Sequence, residues 1–253
     1  TFINKKDQGG TKMKYKLKKW CAFLLTCIGL IGFSFIMLFC FIDKNKSNVP
    51  SHEKATQQTQ QIKPKKDELL TLVNYQNQIP DSWKIDLVKL SNGQSIDKRA
   101  YPDLQQMMDD ARAQGLSPLI CSSYRTQDKQ QRLFNNEVVA YQQQSSSQEE
   151  AEEKASFWVA RPGTSEHQMG LAVDIVATSN QQLDESQERT AEQQWLIQNC
   201  YKYGFILRYP NDKNQITKVG YEPWHYRYVG KEHAQKIMQE GICLEEYLRS
   251  EER

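Results

Sequence analysis

The chain has 253 residues, of which 38% are hydrophobic and 25% charged, and its formal net charge is +2. These values suit one folded domain with accessory segments and exclude a chain too poor in apolar residues to bury a core. The near-neutral total conceals a local cluster of lysines near the start, and no nucleic-acid partner is expected.

Lys12, Lys14, Lys16, Lys18 and Lys19 precede a run from Trp20 to Ile42 that carries no charged side chain, and Asp43 ends it. About 20 apolar residues cross the hydrocarbon layer, and the basic flank predicts a cytoplasmic N-terminus. A cleaved signal peptide is the alternative, but its apolar region runs only about 7 to 15 residues and ends in a small-residue site, which this run lacks. After it come Lys, Ser, Asn, Gln and Thr with almost no apolar residue, too little to offset chain entropy by burial. The expected organisation is a basic cytoplasmic segment over 1–19, a single transmembrane anchor over 20–42, a flexible tether over 43–66 and a folded domain over 67–253 on the outer side of the cell membrane. Cys21, Cys27 and Cys40 fall in the apolar run. Cys121, Cys200 and Cys243 leave either one disulfide and one thiol or three buried thiols.

Within the folded part, Pro102 and Asp103 open a segment with Leu104, Met107, Met108 and Ala111 at helical spacing, closed by Gly115. Residues 116–122 (LSPLICS) predict a short buried strand. Thr126 predicts the cap of a helix presenting Leu133, Phe134, Val138 and Tyr141. The polar patch Gln142 to Glu153 reads as a surface loop leading into a helix. Thr190 and Gln193 form a capping box before a helix containing Trp195, Leu196, Cys200 and Tyr203, stopped by Gly204. Residues 170–176 (GLAVDIV) and 224–229 (WHYRYV) predict strands, the second beginning at Pro223. The fold class is α+β: a small antiparallel sheet flanked by helices, behind the N-terminal membrane helix.

The chain has four histidines: His52 in the tether, then His167, His225 and His233. His167 precedes Asp174 by seven positions. That odd separation puts the two on opposite faces of a straight strand, so they converge only if His167 lies on a turn, which Gly170 permits. Glu222 and His225, three apart, need a bend as well, and Pro223 supplies one. Imidazole and carboxylate donors suit zinc, and a catalytic site uses three such ligands with the fourth position open. His167, Asp174 and His225 would furnish that set, with Glu222 as proton acceptor. Equally compatible with the spacing is a core histidine bonded to a strand carboxylate. His233 falls on no motif.

The string Ser165-Glu166-His167-Gln168-Met169-Gly170-Leu171-Ala172-Val173-Asp174 fits an S-x-H-x-x-G-x-A-x-D pattern, and Glu222-Pro223-Trp224-His225 fits E-x-W-H. Both resemble the signatures of VanY-type D-alanyl-D-alanine carboxypeptidases, in the same order. Ser123-Tyr124-Arg125-Thr126, with Gln130 five positions after the arginine, is similar to that family's S/G-Y-R segment, with Ser123 where Gly is common. Leu244 to Leu248 looks like its C-terminal end.

The resemblance implies one zinc ion per chain held by His167, Asp174 and His225, with Glu222 as general base and then proton donor. It implies that Arg125 is the counter-charge to the substrate carboxylate or to the developing oxyanion, and that Ser165, Gln130 and, more weakly, Tyr124 contact substrate. Trp224 is expected to pack. The implied reaction is removal of the terminal D-alanine from peptidoglycan stem peptides or their lipid-linked precursors by a membrane-anchored peptidase. Rival activities for the same site are an L,D-carboxypeptidase acting on tetrapeptides and a peptidoglycan endopeptidase. A non-catalytic, zinc-stabilised cell-wall binding module is the rival from another class, and Glu222 with Arg125 argues against it.

Overall fold

The computed structural model describes residues 67–251. The expected cytoplasmic segment, membrane span and tether lie outside the described residues, among which no helix is long and apolar enough to cross a membrane.

Alternating apolar and polar positions build the sheet that carries the site. Strands β1 (Leu87–Lys89) and β2 (Ser95–Asp97) pair as an antiparallel hairpin. Strands β3 (Pro118–Ser122), β4 (Ala172–Ala177), β5 (Phe205–Leu207) and β6 (His225–Tyr228) form a four-stranded antiparallel sheet in the order β3-β4-β6-β5. Successive side chains on a strand point to opposite faces. Val173 and Ile175 of β4, Tyr226 and Tyr228 of β6 and Phe205 of β5 therefore all enter one core, with Leu104, Met107, Met108 and Leu196 from the helices. The other face receives Asp174, His225 and Arg227.

The first predicted helix forms as α1 (Tyr101–Ala113), with its four periodic apolar residues buried and Gly115 beyond it at φ 80°. Thr126 caps α2 (Gln127–Gln142) by accepting from the Lys129 amide. The polar patch is not one loop: α2 runs through Gln142, and α3 (Gln148–Ser156) begins inside the patch on the Ser147 cap. Ala151 and Ala155 of α3 pack on Phe134 and Val138 of α2, giving the glutamate-rich segment an apolar seam.

The third helical segment starts as predicted with Thr190 accepting from the Gln193 amide at α4 (Ala191–Asn199), continues as a 3-10 turn through Tyr203, and stops at Gly204. Only half of the capping box forms. The Gln193 side chain turns inward instead, donating to the Ile175 carbonyl and accepting from the Tyr226 hydroxyl. Gly204 has φ 78°, and a Cβ there would lie 2.8 Å from the Tyr228 ring, so both conformation and space call for glycine. The short α5 (Asn214–Thr217) precedes the segment that leads to Glu222. Helices α6 (Lys231–Glu240) and α7 (Leu244–Glu251) close the fold, burying Ala234, Ile237, Leu244 and Tyr247 in a second apolar cluster with Leu70, Ile206 and Val229. Cys121, Cys200 and Cys243 are free thiols.

Candidate active site

Two backbone devices bring the polar groups together. A 3-10 turn, Glu166–Met169, carries His167 and ends at Gly170, whose φ of 74° swings the chain into β4. On β6 the register places His225 directly opposite Asp174 of β4. Residues 223–224 form a turn rather than the start of the strand, and the His225 amide closes it on the Glu222 carbonyl at 3.1 Å. Both side-chain pairs that strand parity alone would separate thus converge on one face.

His167 Nε2 lies 3.3 Å from Asp174 Oδ2, and His225 Nδ1 lies 3.2 Å from Asp174 Oδ1. Glu222 Oε2 is 3.4 Å from the same His225 nitrogen. All four side chains are buried. His167 Nδ1 is 2.8 Å from the Ser123 carbonyl, which can only accept, so the ring proton sits on Nδ1 and Nε2 presents a lone pair.

A cation fits this arrangement. One donor atom from each of His167, Asp174 and His225 lies within 4.8 Å of the others. Asp174 Oδ1 is buried without a hydrogen-bond donor among the described residues despite its nearness to His225 Nδ1. Two lone-pair atoms that approach without hydrogen-bonding are placed to share a third partner. Imidazole and carboxylate donors in a set of three suit zinc with an open position.

Electrostatics separate the groups. Burial and the nearby Arg125 charge push the His167 pKa down to about 4, against the pull of Asp174. Burial would also depress His225, but the neighbouring carboxylates of Asp174 and Glu166 outweigh it and the value rises to about 9. Burial, reinforced by the charges of Asp174 and Glu166, lifts Glu222 to about 8. Asp174 is held well below the usual carboxylate range, because His167, His225 and Arg125 overcome the cost of its burial.

The site lines a cavity of about 500 Å³. Arg125, Ser165, His167, Asp174, Glu222 and His225 all line it, together with the aromatic residues Trp158, Tyr209 and Trp224, and the Tyr209 ring lies 4.9 Å from that of His225. Trp224, expected to pack, therefore also faces the cavity. No hydrogen bond engages the Ser165 hydroxyl among the described residues. Arg125 is 14% exposed and donates to Asp174 Oδ2 at 2.7 Å and to Ser122 Oγ at 3.0 Å. It is thus braced against a metal-ligand candidate while its guanidinium faces the cavity.

Two expected substrate contacts, Gln130 and Tyr124, do not line the cavity. Gln130 is fully buried and outside the lining: its amide donates to the Ala160 carbonyl at 2.7 Å and its oxygen lies 3.4 Å from Arg125 Nη1. It braces Arg125 from behind. Tyr124 is half-buried and likewise outside the lining. His233 lies far from this cluster in its bonding, with Nδ1 2.7 Å from the Tyr247 hydroxyl.

Residues that sequence motifs do not single out form a layer beneath the site. Glu166 is fully buried, with Oε1 2.7 Å from Arg208 Nε and 2.9 Å from Arg227 Nη1. Arg208 also donates twice to Glu245, at 2.9 and 2.7 Å. Arg227, inside the predicted strand over 224–229, was the available signal, since a buried arginine requires a counter-ion.

Comparison with known proteins agrees with this geometry. The family model described as "VanY: D-alanyl-D-alanine carboxypeptidase" matches residues 93–231, more than half of the chain. A D-alanyl-D-alanine carboxypeptidase of Enterococcus faecalis is 49% identical over 182 residues, covering 72% of this chain and 66% of the relative. A putative carboxypeptidase of Bacillus subtilis, YodJ, is 42% identical, covering 72% and 67%. The chain thus spans about two thirds of the length of these curated relatives.

Among solved structures, VanYB in complex with D-alanine-D-alanine superimposes with a TM-score of 0.67 at 49% identity, covering 72% of this chain and 98% of that one. A Zn(II) complex of a point mutant of the D,D-pentapeptidase VanY from a VanB-type resistance cassette gives 0.65 at 49% identity, covering 71% and 98%. The LD-carboxypeptidase LdcB gives 0.62 at 42% identity, covering 72% and 86%. The resemblance read from the two motifs is borne out at the level of sequence and of fold, and the chain belongs to the VanY D-alanyl-D-alanine carboxypeptidase family.

Proposed function

We propose that the domain is a zinc-dependent D,D-carboxypeptidase that removes the terminal D-alanine from peptidoglycan stem peptides. The observation that carries this reading is the convergence of His167, Asp174 and His225 beside Glu222 in the lining of one cavity. Support comes from the zinc and D-alanine-D-alanine complexes of structures nearly half identical to this chain.

His167 through Nε2, Asp174 through its carboxylate and His225 through Nδ1 would hold the metal. Zinc, when bound, supplies an acidified water and a Lewis-acid contact for a carbonyl. Glu222 accepts a proton from the attacking water and returns it to the departing amine, a task suited to a carboxylate that lines the cavity 3.4 Å from His225 Nδ1. Arg125 offers a guanidinium to the terminal carboxylate of the substrate or to the oxyanion, and its bonds to Asp174 and Ser122 fix its direction beforehand. The free Ser165 hydroxyl contributes a hydrogen bond. Gln130 acts through Arg125 rather than on substrate.

The likeness to LdcB favours a second reading, an L,D-carboxypeptidase with the same residues in the same roles. Incubating the full chain with pentapeptide and tetrapeptide stem precursors and following released D-alanine by mass spectrometry separates the two. Loss of one alanine from pentapeptide, suppressed by chelator, is expected; release from tetrapeptide alone would move the specificity to L,D. No cleavage of either by zinc-loaded protein would defeat the catalytic reading.

The apolar run over 20–42 and its lysine flank support a single-pass anchor with the domain outside the membrane. Resistance of the domain to external protease in intact spheroplasts would defeat that placement.

A further inference from the structure

His167 and His225 present opposite ring nitrogens to the site, Nε2 and Nδ1, so each needs a different partner behind it. Behind His167 stands the Ser123 carbonyl. Behind His225 stands Glu166: its Oε2 lies 3.6 Å from His225 Nε2. Both atoms are buried, and neither has another hydrogen-bond partner among the described residues. Each is therefore the available partner of the other.

Glu166 does not move freely to meet this nitrogen. Its other oxygen is fixed between Arg208 and Arg227, both fully buried. Arg208 continues to Glu245 of α7, and Glu245 accepts from Asn74 at 3.2 Å. Arg227 donates to the Leu69 and Thr71 carbonyls at 2.9 and 3.0 Å. Two carboxylates and two guanidiniums balance, which makes burial of four charges tolerable. The first and last described segments of the domain are thus tied to the one carboxylate that stands behind the His225 imidazole.

We propose that Glu166 is the positioning residue of His225: it holds the ring proton on Nε2 and leaves the Nδ1 lone pair aimed between Asp174 and Glu222. The inference rests on the metal-site reading above. A carboxylate behind a ligating imidazole fixes its tautomer and raises its basicity, and removing such a partner costs about 10- to 100-fold in metal affinity.

The test uses the full chain, wild type and Glu166→Gln, a replacement that keeps the side-chain shape. Zinc affinity is measured by chelator competition, and the tautomer of His225 in the zinc-loaded wild type by nitrogen-15 NMR of the ring. Expected are an Nε2-protonated His225 with Nδ1 bound to metal, and an affinity reduced about 10- to 100-fold in Glu166→Gln with its circular-dichroism spectrum unchanged. Equal affinity in a folded Glu166→Gln, or a His225 protonated on Nδ1, would overturn the proposal. If Glu166→Gln does not fold, the wild-type tautomer alone decides. A wild-type chain that takes up no zinc would defeat the metal-centre reading and this inference with it, whereas unequal outcomes between the two proteins bear on Glu166 alone.

Discussion

The two faces of β4 and β6 are both buried, yet they are built from opposite materials. On one face Val173, Ile175, Tyr226 and Tyr228 enter the apolar core. On the other, Asp174, His225 and Arg227 meet Glu166, Arg208 and Arg125. One face gains stability by removing apolar area from water, at about 25 cal/mol per Å². The other must find a partner for each charge it buries, and gains little net stability from doing so. The same alternation that separates them in space lets the apolar face stabilise what the polar face holds in place.

Four experiments would break or sharpen that contrast. Glu222→Gln removes a proton acceptor without touching the core, so turnover should fall about 10²- to 10⁴-fold; zinc stoichiometry and melting temperature should stay close to wild type. Parallel loss of zinc would show that Glu222 is a ligand rather than a base. Arg208→Met should cost about 3 to 5 kcal/mol in denaturant unfolding, because Glu166 and Glu245 lose a shared buried counter-charge. A smaller loss than that of a core truncation would mean that water enters the layer.

Ile175→Ala on the opposite face should cost about 2 to 5 kcal/mol by leaving a cavity. Zinc affinity of the folded fraction should be retained, and a large fall in affinity would show that the two faces are coupled. The smallest effect is expected from pH. Burial alone would raise the Glu166 carboxyl, but Arg208 and Arg227 outweigh it and hold it well below its ordinary value of 4.5. A carboxyl depressed on folding contributes stability that is complete above its unfolded value and lost as pH falls through the folded one. The melting temperature of metal-free protein should therefore drop below about pH 4.5, and less steeply in Arg208→Met. An equal slope in both would remove the ion-pair layer as the cause.

Much of the framework could be read locally. The 3.6-residue spacing of Leu104, Met107, Met108 and Ala111 found its helix, because an amphipathic stripe has one way to be buried. The need for a turn at Gly170 and a bend near Pro223 also followed from parity alone, and both are present. The patch after Gln142 misled because its polarity outweighed two alanines. Ala151 and Ala155 become a helix face only when Phe134 and Val138 supply a surface to cover. Gln130 was placed at the substrate by motif, but an amide with donors and an acceptor can satisfy buried partners equally well, and it does so at Ala160 and Arg125.

By itself, then, the sequence determined the turn chemistry, the strand parity and which polar side chains, His167, Asp174, Glu222 and His225, meet on one face. These depend on dihedral preferences and residue chemistry that act within a few positions. Only the tertiary structure decided which nitrogen of each histidine faces the site, which residues stand behind them and how Arg208, Arg227 and Glu245 share their charges. Glu166 and Glu245 lie 79 positions apart, on either side of Arg208, and no local preference specifies such a pairing. It is set by the requirement that charges brought together inside the fold be neutralised there.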